Sequence, residues 1–167
     1  MGARSFLVRG CTGFWDARSA RPHVAVPEDR FRELVHRAVR GVGAWRLRGF
    51  ALGVEGATTS FYQAVVTDPA EPSRLVQVVL NPFVPCWAAA GVTLDERGVP
   101  VAALDLDFRP PPAFLARAFA GLDWLSPDDA RVRITGEMLA VLAPAERRQV
   151  RYWAPETVGE VLFNRWD

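Results

Sequence analysis

Apolar residues recur at helical spacing after residue 27. Phe31, Leu34, Val35 and Ala38 follow Pro27-Glu28-Asp29, a proline near the first helical position with acids that favour the positive end of a helix dipole. Arg37 and Arg40 suit the last turn, and Gly41 and Gly43 end the pattern. Upstream, Ser5–Arg9 reads as a short strand, Gly10 and Gly13 as breakers, and residues 16–27 as a loop. Downstream the period changes to two. Ala44–Leu52 alternates, with Trp45 and Leu47 on one side and Arg46 and Arg48 on the other, while Thr58–Thr67 and Arg74–Leu80 are rich in β-branched residues. The connections GVEGA and DPAEPS are short and full of turn formers. They leave no room for the crossover that parallel strands need, so an antiparallel meander is predicted.

Asn81–Ala90 is apolar but interrupted by Pro82 and Pro85, which predicts at most an edge strand, or an irregular buried crossing. Val92–Asp95 and Pro100–Phe108 flank the turn Glu96-Arg97-Gly98. In the second run Leu104, Leu106 and Phe108 alternate with Ala103, Asp105 and Asp107, which predicts one wet sheet face. After Pro110–Pro112, Phe114, Leu115, Ala118, Phe119 and Leu122 return to helical spacing, and Pro144 and Pro155 stand where further helices begin. The segment Pro155–Asp167 reads as a docked helix closing the sheet's open face. The pattern as a whole predicts an α+β fold, an antiparallel sheet of about five strands packed on one face by N-terminal, middle and C-terminal helices. No repeat or linker divides the chain, so residues 1–167 are expected to form a single domain.

Composition narrows the class. With 50% hydrophobic and 23% charged residues the chain is neither disordered nor fibrous. The start has no signal-peptide core and no apolar run reaches a membrane span, so a cytoplasmic protein without membrane contact is expected. A net charge of +1 supplies no global field for nucleic acid, which is read as an improbable partner. Every basic residue is arginine. That bias suggests a bacterial, GC-rich source, and it removes Schiff-base chemistry and the phosphate-loop lysine. Cys11 and Cys86 are too few for a disulfide framework.

No strong catalytic or metal motif is present, and no cofactor is expected. Asp105 and Asp107, if on one strand, project to the same side roughly 6.5–7 Å apart and suit a hard cation with phosphate oxygens. Against this stands an ordinary solvated strand face. Cys86 would need His23 or His36 as a base, but it lies in an apolar segment where cysteine behaves as a small hydrophobe. A sheet cavity for an apolar ligand would use Trp45, Phe61 or Trp87. The broadest signal is arginine beside aromatic residues: Arg46 and Arg48 on a strand, and Arg147, Arg148 and Arg151 beside Tyr152 and Trp153. Arginine and tryptophan are enriched where proteins meet proteins. The chain is therefore read as a non-catalytic protein-binding or accessory protein, for example a toxin-neutralising or complex subunit. The alternatives are a metal- or phosphate-dependent enzyme using Asp105 and Asp107, or an apolar-ligand domain.

Overall fold

Helix α1 (Glu28–Arg40) forms where the pattern places it. Phe31, Leu34, Val35 and Ala38 are its buried stripe, and ion pairs Arg30–Glu33 and Arg32–Glu28 lie along its outer side. The computed structural model describes residues 6–51, 60–94, 96, 100–101 and 106–166. Next come β1 (Arg46–Ala51), β2 (Tyr62–Asp68), β3 (Glu71–Asn81) and β4 (Cys86–Ala90), each antiparallel to the one before. The turn between β2 and β3 is only Pro69-Ala70, so β3 begins earlier than the sequence pattern suggested. Strands β5 (Thr93–Leu94) and β6 (Pro100–Val101) form the expected hairpin as a separate two-stranded sheet. Strand β7 (Phe108–Arg109) joins the main sheet antiparallel to β4.

Helix α2 (Ala113–Ala118) is followed by β8 (Asp123–Trp124), which pairs with β4 in parallel, Cys86 opposite Asp123 and Trp87 opposite Trp124. Four helices complete the fold: α3 (Pro127–Ala130), α4 (Gly136–Ala140), α5 (Pro144–Trp153) and α6 (Val158–Leu162). The architecture is α+β with a six-stranded, mostly antiparallel sheet. No helix among the described residues is long and apolar enough to cross a membrane.

Three local expectations change. Residues 6–9 are not a strand; Leu7 is buried, and the hydrogen bonds to α5 come from the next residues, Gly10 and Thr12, rather than from a ladder. The run after Asn81 is neither an edge nor irregular. Pro82 and Pro85 both fall in the turn, where a missing N–H breaks no ladder, and Cys86–Ala90 is a fully buried inner strand. Asn81 shapes that turn, its Oδ1 accepting from the N–H groups of Phe83 (2.9 Å) and Val84 (3.1 Å). Helix α6 begins at Val158 rather than Pro155, because residues 132–134 pair with 156–158 first: Ile134 N–H donates to Glu156 O and Val158 N–H to Val132 O, each at 3.0 Å. Thr157 then caps the helix.

The helical cover is divided between the two sheet faces instead of gathered on one. Val78 and Leu80 of β3, with Trp87 of β4, pack against α1 and α2 through Phe31, Leu115 and Phe119. Val79, Cys86 and Ala88 point the other way, into a second core with Leu125, Val150, Val161 and Leu162. The inner strands are apolar at consecutive positions because both faces are covered. The run that suggested a wet face includes residues 102–105, which lie outside the described residues.

A buried polar knot ties the second core together. Asn81 Nδ2 donates to the carbonyls of Cys11 and Leu162, both at 2.7 Å. Ser60 Oγ donates to Leu162 O (3.0 Å) and accepts from Asn164 N–H (2.9 Å). Two mid-chain side chains, Asn81 and Ser60, thus satisfy buried backbone groups near both ends of the chain, as the low-dielectric interior requires.

Candidate functional site

Helix α5 starts at Pro144, and its third residue, Glu146, turns inward. Although fully buried, the carboxylate is well satisfied. Oε2 accepts from Ala143 N–H (2.8 Å) and Gly10 N–H (2.9 Å), and Oε1 from Thr12 N–H (3.1 Å) and Thr12 Oγ1 (2.9 Å). Gly10 supplies a φ of +89°, a left-handed conformation that lets the loop wrap around the carboxylate. One side chain thus caps α5 and binds the segment around residues 9–12 to it.

The outward side of α5 carries the residues singled out from the sequence. Arg147 Nη1 donates to Ala140 O at 3.0 Å, and Arg148 forms an ion pair with Asp16 in the N-terminal loop. Asp16 is further tied by Ser19 Oγ (2.9 Å) and Arg18 N–H (2.9 Å). The Ser19 hydroxyl foremost, then the Arg18 N–H and the Arg148 guanidinium, hold its carboxyl below the ordinary value. Arg151 is exposed. Tyr152 and Trp153 meet edge to face, ring centres 5.1 Å apart, and remain 78% and 40% exposed. Trp15, beside Asp16, is 48% exposed and lies 5.9 Å beneath the Arg21 guanidinium. Tyr152 and Trp15 thus belong with the predicted residues. The sequence places Tyr152 beside the arginines, whereas Trp15 comes near α5 only through its neighbour Asp16, which pairs with Arg148.

Arg46 and Arg48 stand elsewhere, on the edge strand β1. A bulge between Leu47 and Gly49 makes Arg48 the extra residue, interrupting the common face the alternation predicted. No hydrogen bond or ion pair among the described residues joins β1 to α5.

The remaining candidates are dispersed. Asp105 lies outside the described residues, and Asp107 accepts from Arg109 Nε at 2.8 Å and pairs with its Nη2 at 2.5 Å. Among the described residues no group of three or more His, Cys, Asp or Glu side chains is placed to hold a metal ion. Cys11 and Cys86 share the second core without forming a disulfide. Burial, reinforced by the nearby Glu146 charge, pushes the Cys11 thiol up to about 12, which keeps it protonated and un-nucleophilic at neutral pH. His36 lies on α1, across the sheet from Cys86, with its ring against Phe50 at 5.6 Å. Trp45 stacks on Phe114 and Trp87 on Phe119 in the first core, while Phe61 meets Phe163 in the second. The aromatic residues named as possible cavity lining are core residues, Trp45 and Trp87 on one face of the sheet and Phe61 on the other.

No protein-family model matches the chain, and no curated protein or solved structure is significantly similar to it.

Proposed function

We propose that this is a non-catalytic protein-binding or accessory protein whose contact surface is the outer face of α5 with the neighbouring Trp15. One observation carries the reading: Tyr152 and Trp153 form a ring pair held largely in water, among the arginines of the same helix. Large aromatic side chains offer contact area at low entropic cost, and with arginine they form the energetic centres of protein interfaces. The Arg148–Asp16 pair and the hydrogen bonds of Glu146 tie α5 to the N-terminal loop before binding, which lowers the ordering cost of association. A toxin-neutralising or complex subunit of a bacterial cytoplasm fits such a surface, and two cysteines without a disulfide accord with a reducing compartment.

The test places a photo-crosslinking phenylalanine analogue at position 152 in the source cell, with position 33 on α1 as control. A discrete protein adduct from position 152 alone is expected. With that partner purified, Tyr152→Ala with Trp153→Ala should weaken binding at least about thirtyfold at unchanged Tm. Equal adducts from both positions, or unaltered affinity in the double variant, defeats the reading.

A further inference from the structure

A cleft of about 420 Å³ opens where the N-terminal loop meets the start of α5, lined by Arg9, Arg18, Arg21, His23, Ser19 and Phe14 among others. We infer that this cleft is an anion site for a phosphate group, free or carried as a small monoester. It is distinct from the protein-contact surface proposed above and does not depend on it.

Charge is the first reason. The lining of the cleft carries three arginines, Arg9, Arg18 and Arg21, against the one carboxylate of Glu146, an excess of two positive charges in a chain whose total is +1. The positive charge is therefore concentrated on one side, and walls of low dielectric focus its field into the cleft. Availability is the second. The arginines that line it form no ion pair among the described residues: the Arg18 backbone, not its guanidinium, bonds Asp16, and Arg21 lies over Trp15. The one carboxylate in the wall is Glu146, and its two oxygens already accept four hydrogen bonds from Gly10, Thr12 and Ala143. It offsets at most one of the three guanidinium charges facing it. The third reason is chemical. Guanidinium forks match phosphate oxygens bidentately, and a dianion balances more of this surplus than a single carboxylate does. Ser19 adds a hydroxyl, and Phe14 adds an apolar wall against which the organic part of a monoester lies.

The same lining argues against a helix-dipole account. The α5 terminus at Ala143 is already capped by Glu146, so the site rests on side chains of the loop and not on free amides.

The probes are inorganic phosphate and AMP, with acetate and chloride at matched ionic strength as controls, read by thermal shift and by calorimetry on the full chain. Phosphate at a hundredfold excess over its Kd should raise Tm by roughly 5 °C, well above either control. Arg18→Ala with Arg21→Ala, both exposed positions, should lower affinity at least tenfold while the unliganded Tm and circular dichroism stay unchanged. AMP binding no tighter than phosphate identifies a site for the free ion. Tighter AMP binding that Phe14→Ala reduces to the phosphate level identifies a monoester site. Equal responses to phosphate and chloride, or full phosphate affinity in the double arginine variant, overturns the inference. Should the double variant lose its fold, Arg18→Glu alone, read by calorimetry, must still abolish phosphate binding.

Discussion

Glu146 shows how much one buried side chain can determine. Its four accepted hydrogen bonds leave no room for a donor. Glu146→Gln keeps size and shape but replaces one oxygen with an NH2 group, and either amide orientation sets that group against backbone N–H donors. Opposed buried donors lose their partners, so the substitution should cost about 2–4 kcal/mol and lower Tm by roughly 5–15 °C, read by calorimetry. A loss below about 1 kcal/mol would mean that these four hydrogen bonds do not hold α5 to the N-terminal segment. The start of the helix that carries Glu146 was legible beforehand, since Pro144 stands where a helix begins. Its partners at Gly10 and Thr12 were not, because they lie more than 130 residues away and no local pattern encodes that meeting. Cys11 carries a related prediction. Burial raises its thiol from 9.0 to about 12, so the folded chain holds its proton more tightly than the unfolded chain. For a raised group the stabilisation is complete below the unfolded value and is lost as pH rises through the folded one. Denaturant midpoints should therefore fall between pH 9 and 12, and Cys11→Ala should flatten that fall.

Elements were readable where their signal is local. Helix α1 has its proline, its acids, its apolar stripe and its closing glycine between Pro27 and Gly41, and it forms as predicted. Strand β4 departs from its sequence pattern because prolines count against a strand only inside it, and the sequence does not say on which side of the boundary Pro85 falls. Strand β8 consists of Asp123 and Trp124 alone, too short for any periodicity; only its parallel pairing to Cys86 and Trp87 defines it. Helix α6 adds a constraint that periodicity cannot express. A Cβ on Gly159 would lie 2.6 Å from Phe108 Cε2 and 3.1 Å from the backbone oxygen of Ala130. The Phe108 ring can tilt, but the carbonyl cannot retreat without moving α3. Gly159→Ala should therefore destabilise by about 1–3 kcal/mol despite alanine's better helix propensity. Urea unfolding is the measurement, and a gain in stability would mean that α6 does not pack this closely.

The largest departure from expectation concerns the whole molecule. Two cores share one sheet, and its inner strands send alternate side chains into each: Val78 and Leu80 to one, Val79 to the other. The consecutive valines of β3 already carried this information, since a strand apolar at successive positions is covered on both faces. The alternation around Asp105 and Asp107 points the other way, but it belongs to one segment of the chain and says nothing about the central strands. The shared sheet has a consequence for unfolding. Neither core can lose its packing without exposing strands that also support the other, so the two should unfold together as one cooperative unit. Probes exist on each side: Trp45 and Trp87 are buried in the first core, Cys11 and Cys86 in the second. Tryptophan emission, recorded from a Trp166→Phe variant so that no indole packs on the second core, and thiol labelling should report the same denaturant midpoint. Leu162→Ala, a truncation in the second core, should cost about 2–5 kcal/mol and shift both transitions equally. If labelling of the two thiols moved to lower denaturant while the emission of the first core stayed in place, the faces would be separable units, and the sheet would join them without coupling them.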